Sequence, residues 1–383
     1  MENPETIALF TLTSSLHAET AVDAASEPFI LDIESALGRK FEFHGDDFTT
    51  YGTHAADIIY VRTGGTEGLF KTLGLDGDIT LLTSGKSNSL AASMEILSFL
   101  RTRGRHGEIL HGTPESIAGR IMAGGDRRQD AGLVKPFGPV DLGGMRLGVI
   151  GRPSDWLISS GVDYDAARAL MNVELVDIPM SELLSRLPQD TGMKTFAGSE
   201  AIHNALKDIV GEYDLAGLTL RCFDLLDTVH NTGCLALARL NADGIPAACE
   251  GDVPALLSMA YLQKTVGCPG FQCNLSRIDG DNLLFAHCTV PLNMVSSFHY
   301  DTHFESGMGT AIKGELPCTD AVIFKISPDL QHCVSIPCRI VGNTSEAALC
   351  RTQIMVSAPG AGAYFLQTPL ANHHIVSLCP PQL

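Results

Sequence analysis

Residues 247–294, AACEGDVPALLSMAYLQKTVGCPGFQCNLSRIDGDNLLFAHCTVPLNM, decide the fold that the sequence predicts. They open at the end of an apolar run that is typical of a strand, and CEGD (249–252) follows at once. A helix is predicted over residues 254–263, because Asp252 stands at its start and Pro254 occupies the first turn, where a missing N–H costs little. A strand that leads directly into a helix indicates an α/β unit with a parallel sheet.

Three predicted elements of this stretch end on a side chain that can bind a cation: Glu250, Asn274 and His287. Ligands of open α/β sheets bind where strands end, so we expect these side chains to meet. Carboxylate and amide oxygens together with imidazole suit Mn²⁺ or Mg²⁺ better than a metal that prefers thiolates. The alternative is that Glu250 caps the helix and His287 packs in the core, and the local pattern leaves both interpretations open.

The composition limits the class of protein. A chain of 383 residues predicts two or three domains, and its 45% hydrophobic content is enough for a buried core. The net charge of −18, from 44 acidic and 26 basic residues, argues against nucleic acid or anionic membranes as partners. No apolar run approaches the ~20 residues of a membrane helix. The N-terminus lacks the basic region of a signal peptide, so a cytoplasmic protein is predicted.

The cysteines are predicted to be structural. All 11 lie at or after Cys222, and none belongs to a CxxC pair. With an odd count and no secretion signal, we expect them to be reduced and mostly buried as small apolar residues. Their confinement to the second part of the chain suggests that the two parts have different cores.

Polar loops follow two predicted strands in the N-terminal part. Residues 57–61 are a predicted buried strand followed by RTGGTEG, and residues 79–82 are a second one followed by TSGKSNS. Strands that alternate with helices imply a parallel sheet with helices on both faces. Thr63, Ser84 and Asn88 could therefore bind the hydroxyl groups of a small ligand, although ordinary strand-to-helix turns use the same residue types.

The predicted fold class is α/β, with two parallel-sheet αβα domains followed by a β-rich, barrel-like C-terminal domain. Residues 126–142 are rich in Gly, Asp, Arg and Pro and form the best boundary between the first two domains. The last part of the chain has short alternating runs separated by Gly, Pro, Asp and Asn, which is typical of an antiparallel sheet or small barrel. The predicted domains are residues 1–138, 139–292 and 293–383.

Two further loops carry candidate site residues. Near the C-terminus, residues 372–374 read Asn-His-His and add two imidazoles. Neighbouring residues of a strand point to opposite faces, so an extended segment would turn one of His373 and His374 toward the site and the other away from it. The single tryptophan, Trp156, lies in a loop at the end of the strand predicted over residues 145–150.

Several segments, taken in order, carry a family resemblance. They are GGTE (64–67), GRPSDW (151–156), AACEGDVPALLSM (247–259), NLSRID (274–279), AHCTVP (286–291), THFESGMGTAIKGEL (302–316), CRTQ (350–353) and NHH (372–374). Together they resemble the L-fucose isomerase and L-arabinose isomerase superfamily, and most of all its shorter, fucose isomerase-like members. The resemblance covers nearly the whole chain and is strongest from Cys222 onward.

The resemblance implies an activity and an assembly. The implied activity is aldose–ketose isomerisation of a monosaccharide through an enediolate, with Mn²⁺ as the usual cofactor and Mg²⁺ or Co²⁺ as alternatives. The implied assembly is a homotrimer or homohexamer with active sites at subunit interfaces, where the first domain of one subunit covers the site of another. Two α/β domains and a β-rich third domain are also implied.

The resemblance also assigns roles to individual residues. It implies that Glu250, His287 and His374 bind the metal, and that Glu250 is the catalytic base. Asn274 stands where the family has a second carboxylate that binds metal and transfers protons. Its amide oxygen can bind a metal, but the amide cannot carry a proton near neutral pH.

A nearby acid is therefore expected to replace the missing carboxylate. Asp279 is the predicted catalytic substitute, and Asp301 and Glu305 are further candidates. Asp279 could equally be held by Arg277 as a structural ion pair, so the assignment stays open at this point.

The remaining predicted residues bind the sugar. Arg351 could anchor a hydroxyl or an anionic substituent, although it could instead pair with a nearby acid. The other predicted sugar contacts are His373, Thr63, Ser84, Asn88 and Trp156. Two alternatives to an isomerase remain: a non-catalytic sugar-binding protein on the same scaffold, and an enzyme that uses the same metal enediolate for other sugar chemistry.

Overall fold

An α/β unit opens the computed structural model, which describes residues 6–14, 28–124, 132–188 and 191–381. Its strands are β1 (Ile7–Leu12), β2 (Glu42–Gly45), β3 (Ala56–Val61), β4 (Ile79–Thr83) and β5 (Gly107–Leu110), and its helices are α1 (Pro28–Leu37), α2 (Glu67–Leu73), α3 (Ser89–Arg101) and α4 (Pro114–Met122). All five strands are parallel, in the order β2-β1-β3-β4-β5. Strand β1 is buried along its whole length, because helices cover both faces of the sheet.

A second α/β unit follows a short strand, β6 (Val134–Pro136). Its strands are β7 (Met145–Ile150), β8 (Val173–Ile178), β9 (Gly217–Leu220) and β10 (Ala247–Cys249). Its helices are α5 (Tyr164–Met171), α6 (Met180–Leu184), α7 (Phe196–Glu212), α8 (Asp224–Val229), α9 (Cys234–Ala242) and α10 (Val253–Val266), with a 3₁₀ helix at Thr191–Lys194. The four strands are parallel, in the order β10-β9-β7-β8.

The third unit is a closed antiparallel barrel. Its strands are β11 (Phe271–Asp279), β12 (Asn282–His287), β15 (Asp320–Ile326), β16 (His332–Asn343), β17 (Thr352–Ser357) and β18 (His374–Ser377). They run in the order β15-β18-β11-β12-β17-β16, and β16 closes the barrel by pairing with β15. A separate ribbon, β13 (Ser297–Asp301) with β14 (Ala311–Glu315), and helix α11 (Ala361–Gln367) complete this part. The predicted fold class, two parallel-sheet units and a β-rich barrel, is confirmed.

The barrel begins earlier than the predicted boundary between residues 292 and 293. Strands β11 and β12 lie at its centre, and β6 from the first predicted domain extends it beside β16. Both central strands are buried almost throughout, so their sequences show no alternation that would separate them from buried parallel strands. Asn274 therefore lies within β11. The sequence had predicted that it lies at the end of a strand, and this prediction was wrong. Of the predicted linker 126–142, residues 126–131 lie outside the described residues.

Helix α3 joins the three units. It packs between the first sheet and the barrel, in one apolar core that includes Leu90, Leu97 and Phe285. Its Glu95 is fully buried, and its carboxylate accepts hydrogen bonds from the backbone N–H groups of Ser159, 2.6 Å away, and Asn372, 2.8 Å away. The Glu95 carboxylate thus connects the first unit with the second unit and with the segment that precedes β18 of the barrel.

None of the helices in the described ranges is long and apolar enough to cross a bilayer.

Candidate active site

A cavity of about 220 Å³ lies where the three units meet. All three units contribute to its wall. The first unit supplies Ser14, Gly64, Gly65, Glu67, Asn88, Ala91 and Ala92, the second supplies Trp156, Phe223 and Glu250, and the barrel part supplies Asn274, Glu305 and Asn372. The loops after β3, β4 and β10 all reach this cavity, as expected where the carboxyl ends of parallel strands converge.

The backbone at Glu250 is held in an unusual conformation. Glu250 directly follows β10 and has φ 65°, which is uncommon for a residue with a side chain. Gly251 also has a positive φ, and a Cβ there would lie 2.8 Å from the carbonyl oxygen of Arg152. Gln272 of β11 accepts a hydrogen bond from the N–H of Cys249 at 2.7 Å. The barrel and the 152–154 loop thus fix the direction in which the Glu250 carboxylate points.

Three metal-binding side chains converge at this carboxylate. His373 Nε2 lies 3.4 Å from Glu250 Oε1, and His287 Nε2 lies 3.6 Å from the same oxygen. The three possible ligand atoms all lie within 4.8 Å of one another. Trp156 donates its indole N–H to the other oxygen, Glu250 Oε2, at 3.2 Å. Glu250 therefore presents one oxygen to the two imidazoles and keeps the second directed by the indole.

Both imidazoles are oriented by their second ring nitrogen. His373 Nδ1 lies 2.9 Å from Asp252 Oδ2, and His287 Nδ1 lies 2.9 Å from Thr289 Oγ1. Asp252 also caps α10, as predicted, by accepting a hydrogen bond from the N–H of Ala255 at 2.8 Å. A carboxylate behind a histidine is a common support of metal-binding imidazoles, because it fixes the ring and raises its basicity.

The donor set fits a divalent cation. Asn274 Oδ1 is buried and has no hydrogen-bond partner within the described structure, and His373 Nε2 is buried with only its 3.4 Å contact to Glu250 Oε1. A buried polar atom without a partner is costly, so the Asn274 oxygen beside this carboxylate indicates a site built for a ligand. Two imidazole nitrogens, a carboxylate and an amide oxygen suit a first-row divalent ion of mixed N and O preference.

The charges of this cluster are strongly coupled. Burial alone would raise the pKa of Glu250, but the charge of His373 and its contacts with His373 and His287 hold it well below its usual range. Burial would lower the pKa of His373, yet Glu250 and Asp252 raise it to about 10. A cation that binds His373 must therefore displace a firmly held proton, which makes binding stronger as the pH rises.

The structure orients the paired histidines in the opposite way to the prediction. The sequence assignment placed His374 on the metal and His373 on the sugar. His374 instead points into the barrel, where its Nε2 lies 2.8 Å from the Tyr364 hydroxyl and its Nδ1 lies 2.7 Å from the carbonyl oxygen of Asn372. Both ring nitrogens are occupied, so His374 has none left for a metal. His373 turns the other way because Asp252 and the Lys325 ammonium, bonded to the His373 carbonyl, hold it there.

Two of the predicted sugar contacts line the cavity. Trp156 does so beside Glu250, and Asn88 does so while donating a hydrogen bond to Glu305 Oε1 at 2.9 Å. Thr63 is not a lining residue: its hydroxyl accepts the backbone N–H of Ser14 at 2.9 Å and holds the loop. Ser84 is also outside the lining, and its hydroxyl accepts a hydrogen bond from a turn amide two residues on.

Arg351 and Asp279 lie away from the cavity wall. Arg351 donates to the carbonyl oxygen of Thr302 at 2.7 Å and pairs with Asp301 at 3.6 Å, so it orders the segment that carries Glu305. Asp279 is exposed at the end of β11, opposite Asn282 in the hairpin. Asp279 is not among the residues that line the cavity, so the structure does not bring it to the place predicted for the missing carboxylate.

Glu67 is a cavity residue that the sequence prediction did not select. It is the first residue of α2 and is only 2% exposed, and its Oε2 has no hydrogen-bond partner in the described structure. Burial, together with the nearby charges of Glu95, Glu250 and Glu305, raises the pKa of Glu67 to about 8, against a hydrogen bond from its own backbone N–H that lowers it. Glu67 is therefore mostly protonated at neutral pH.

The predicted burial of most of the cysteines is confirmed. All 11 are free, and eight of them are buried. Five belong to a smaller cavity that also touches Glu250 and His287, and they are Cys222, Cys234, Cys249, Cys288 and Cys350. Cys222 and Cys249 place their sulfur atoms 3.2 Å apart. These five thiols thus line a small space next to the cation-binding cluster.

The chain matches no family model. It is similar to a sulfoquinovose isomerase from Alkalicoccus urumqiensis, with 20% identity over 226 residues. The match covers 52% of this chain and 49% of the relative, so the chain spans about half the length of the curated relative it matches.

Proposed function

We propose that this protein is a metal-dependent aldose–ketose isomerase that acts on an uncharged monosaccharide. The observation that carries the proposal is that Glu250, which lines a sugar-sized cavity, meets His287 and His373 in a group able to hold a metal ion. Supporting it, the lining includes buried polar atoms that lack partners, Oδ1 of Asn88 and Asn372 among them, as a ligand rich in hydroxyl groups would require. The similarity to a sulfoquinovose isomerase supports sugar isomerisation as the reaction class.

Glu250, His287 and His373 would hold the cation, with the amide oxygen of Asn274 as a fourth ligand. A bound Mn²⁺, Mg²⁺ or Co²⁺ would polarise the carbonyl and the neighbouring hydroxyl of an open-chain sugar and stabilise the negative charge that develops. Because Oε1 of Glu250 faces the histidines, its Oε2 is the oxygen left to accept a proton from a sugar carbon. The indole N–H of Trp156 keeps that oxygen in place.

Glu67 would supply the proton that Asn274 cannot carry. Isomerisation through an enediolate moves one proton between C1 and C2 and another between their oxygens. Glu67 lines the same cavity as Glu250, is protonated near neutral pH and has an oxygen without a partner. We therefore assign it the transfer of a proton to and from a sugar oxygen, in place of the predicted Asp279.

The charge of the cavity favours a neutral sugar. Its described lining contains three acids, Glu67, Glu250 and Glu305, and neither lysine nor arginine. A sulfonated or phosphorylated substrate would meet these acids with no cationic side chain to balance its own charge. The substrate class proposed here therefore differs from the sulfonated sugar in the relative's name.

The test combines metal removal with hydrogen exchange at C2. The wild-type protein, after metal removal and again after Mn²⁺ loading, is incubated in D₂O with a panel of neutral pentoses and hexoses and with sulfoquinovose. We expect Mn²⁺-dependent deuterium incorporation at C2 with a neutral sugar, lost in Glu250→Gln and retained in the control Glu200→Gln, because Glu200 pairs with Arg239 and does not line the cavity. Sugar binding without exchange in the metal-loaded wild type would favour the sugar-binding alternative, and preference for sulfoquinovose would refute the neutral substrate.

The assembly stays a proposal. We propose a cytoplasmic homotrimer or homohexamer whose sites lie near subunit contacts. Because each chain supplies its own N-terminal wall through Glu67 and Asn88, we expect a neighbouring subunit to add to the site and not to replace that wall. Light scattering after size-exclusion chromatography gives the subunit number, and a monomer that is fully active would contradict this proposal.

A further inference from the structure

A second group of metal-binding side chains lies in the first α/β unit, among residues that do not line the cavity. Glu42 and His44 belong to β2, and His54 stands just before β3. Glu42 Oε1 lies 3.3 Å from His44 Nε2, and the rings of His44 and His54 are 4.9 Å apart. Each residue offers one ligand atom, and the three atoms all lie within 4.8 Å of one another.

The two imidazoles are already oriented. His54 Nδ1 lies 2.8 Å from Asp57 Oδ1, which leaves its Nε2 for another partner. His44 Nδ1 lies 3.4 Å from the Thr50 hydroxyl, and its buried Nε2 has only the 3.3 Å contact with Glu42 Oε1. The side chains of Asp57 and His54 are only 11% and 12% exposed, so water competes little for their contact. Asp57 thus supports His54 as Asp252 supports His373.

An aromatic floor lies beneath the group. The ring of Phe10, which is fully buried, stacks on His44 at 4.9 Å and contacts His54 at 6.0 Å. Phe48 and Tyr51, from the loop between β2 and β3, pack on the same ring at 5.0 and 5.3 Å. A dry floor on one side and the exposed Glu42 on the other leave access for an ion from solvent and shield it from below.

We propose that Glu42, His44 and His54 form a second metal site, of the zinc type, that is independent of the cavity site. Two imidazole nitrogens and one carboxylate oxygen are a common Zn²⁺ ligand set, with a fourth position left for water. Strands β2 and β3 both pair with β1 and not with each other. An ion at this site would tie them together across β1 and fasten the loop of residues 46–55 to the sheet.

Metal stoichiometry tests the site without any reference to catalysis. Purified full-length protein is stripped of metal and titrated with Zn²⁺, and with Co²⁺ followed by its visible absorption. We expect His54→Ala to bind one equivalent fewer than the wild type, and Glu42→Gln to bind this equivalent at least about tenfold more weakly. Asp57→Asn should weaken it by about 10- to 100-fold, the usual effect of losing the carboxylate behind a ligand.

Two controls separate this site from the cavity site. His332 is an exposed histidine that lies 3.1 Å from Asp329 without belonging to such a three-residue group in the described part of the chain, so His332→Ala should leave the stoichiometry unchanged. In a His373→Ala background the equivalent that depends on His54 should remain. The proposal therefore survives even if the cavity binds no metal.

Protection of the loop provides the second readout. Chymotrypsin can cleave after Phe48 and Tyr51, and Zn²⁺ should slow cleavage there in the wild type but not in His54→Ala. Equal stoichiometry in the wild type, His54→Ala and Glu42→Gln would overturn the proposal. Loss of the equivalent in His332→Ala as well would show adventitious surface binding and would overturn it too.

Discussion

Replacement of Glu67 by glutamine should stabilise the protein, and increasingly so as the pH rises. Glutamine has the shape of a protonated glutamic acid and cannot ionise, so the variant keeps the neutral form that the cavity favours. The pKa of Glu67 is raised from its ordinary value of 4.5 to about 8 in the folded protein. A carboxyl group whose pKa is raised by folding favours the folded state most at a pH below its unfolded pKa. For Glu67 this contribution to the free energy of unfolding is lost as the pH rises from 4.5, the ordinary value, toward 8, the value in the folded protein.

The size of the effect follows from that interval. At about 1.4 kcal/mol per pH unit, the interval from 4.5 to about 8 sets an upper bound of about 5 kcal/mol. Because water can enter the cavity beside Glu67, we expect on the order of 3 kcal/mol at pH 9. At pH 5 the wild type and the variant should differ by less than about 1 kcal/mol.

Urea denaturation at pH 5, 7 and 9, at fixed ionic strength and without added divalent ions, measures the difference. The matched control is Glu115→Gln, since Glu115 also stands in the first turn of a helix but is exposed. The pKa of Glu115 is lowered by hydrogen bonds at the helix start, so its contribution to the free energy of unfolding is lost only in acid. The difference in this free energy between Glu115→Gln and the wild type should therefore be the same at pH 7 and pH 9. If the difference in free energy of unfolding between Glu67→Gln and the wild type were also the same at every pH, Glu67 would be ionised and hydrated in the folded protein. Its assignment as a proton donor would then fail.

Three further predictions test the supports of the site. His373→Asn should abolish metal binding at the cavity, whereas His374→Gln should retain it, and metal analysis after dialysis distinguishes them; retention by both would refute the reversed assignment. Asp252→Asn should keep its cap on α10 and the fold but weaken the cavity metal by about 10- to 100-fold, measured by competition with a chelator; unchanged affinity would show that this carboxylate does not support the ligand. Gly251→Ala should lower the free energy of unfolding in urea by more than about 2 kcal/mol, because the new Cβ would lie 2.8 Å from a carbonyl oxygen and the residue has a positive φ. Gly267→Ala, at a residue with a positive φ and open space around it, should lower it by only about 1 kcal/mol. Equal losses of stability would contradict the close packing at Gly251.

The sequence could predict the architecture because most of its signals are local. Strand β10, the cap at Asp252 and helix α10 are encoded within about twenty consecutive residues, and the structure has them where they were expected. The start of the barrel could not be predicted in this way. Strands β11 and β12 are covered on both faces, so the alternation that marks an exposed antiparallel sheet is absent.

The site was predictable only in part, because some of its residues are positioned by contacts with side chains that are distant in the sequence. Glu250, Asn274 and His287 could be grouped because each follows or lies in an apolar run of one short stretch. The choice between His373 and His374 depends on Asp252 and Lys325, which are distant in sequence, and a period of two residues cannot reveal it.

Glu67 escaped selection because an acid in the first turn of a helix is ordinarily an exposed partner of the helix dipole. Only the packed structure shows that its side chain is buried and directed at the cavity.

The burial of Glu95 has a consequence for how the molecule opens. If the second unit or the C-terminal segment moved away from α3, this carboxyl group would lose hydrogen bonds inside an apolar core, at about 1–3 kcal/mol for each bond lost. Separate melting of one unit is therefore penalised, and heat should disrupt all three in a single calorimetric transition. Substrates would then have to enter by small loop displacements rather than by hinge motion between rigid bodies.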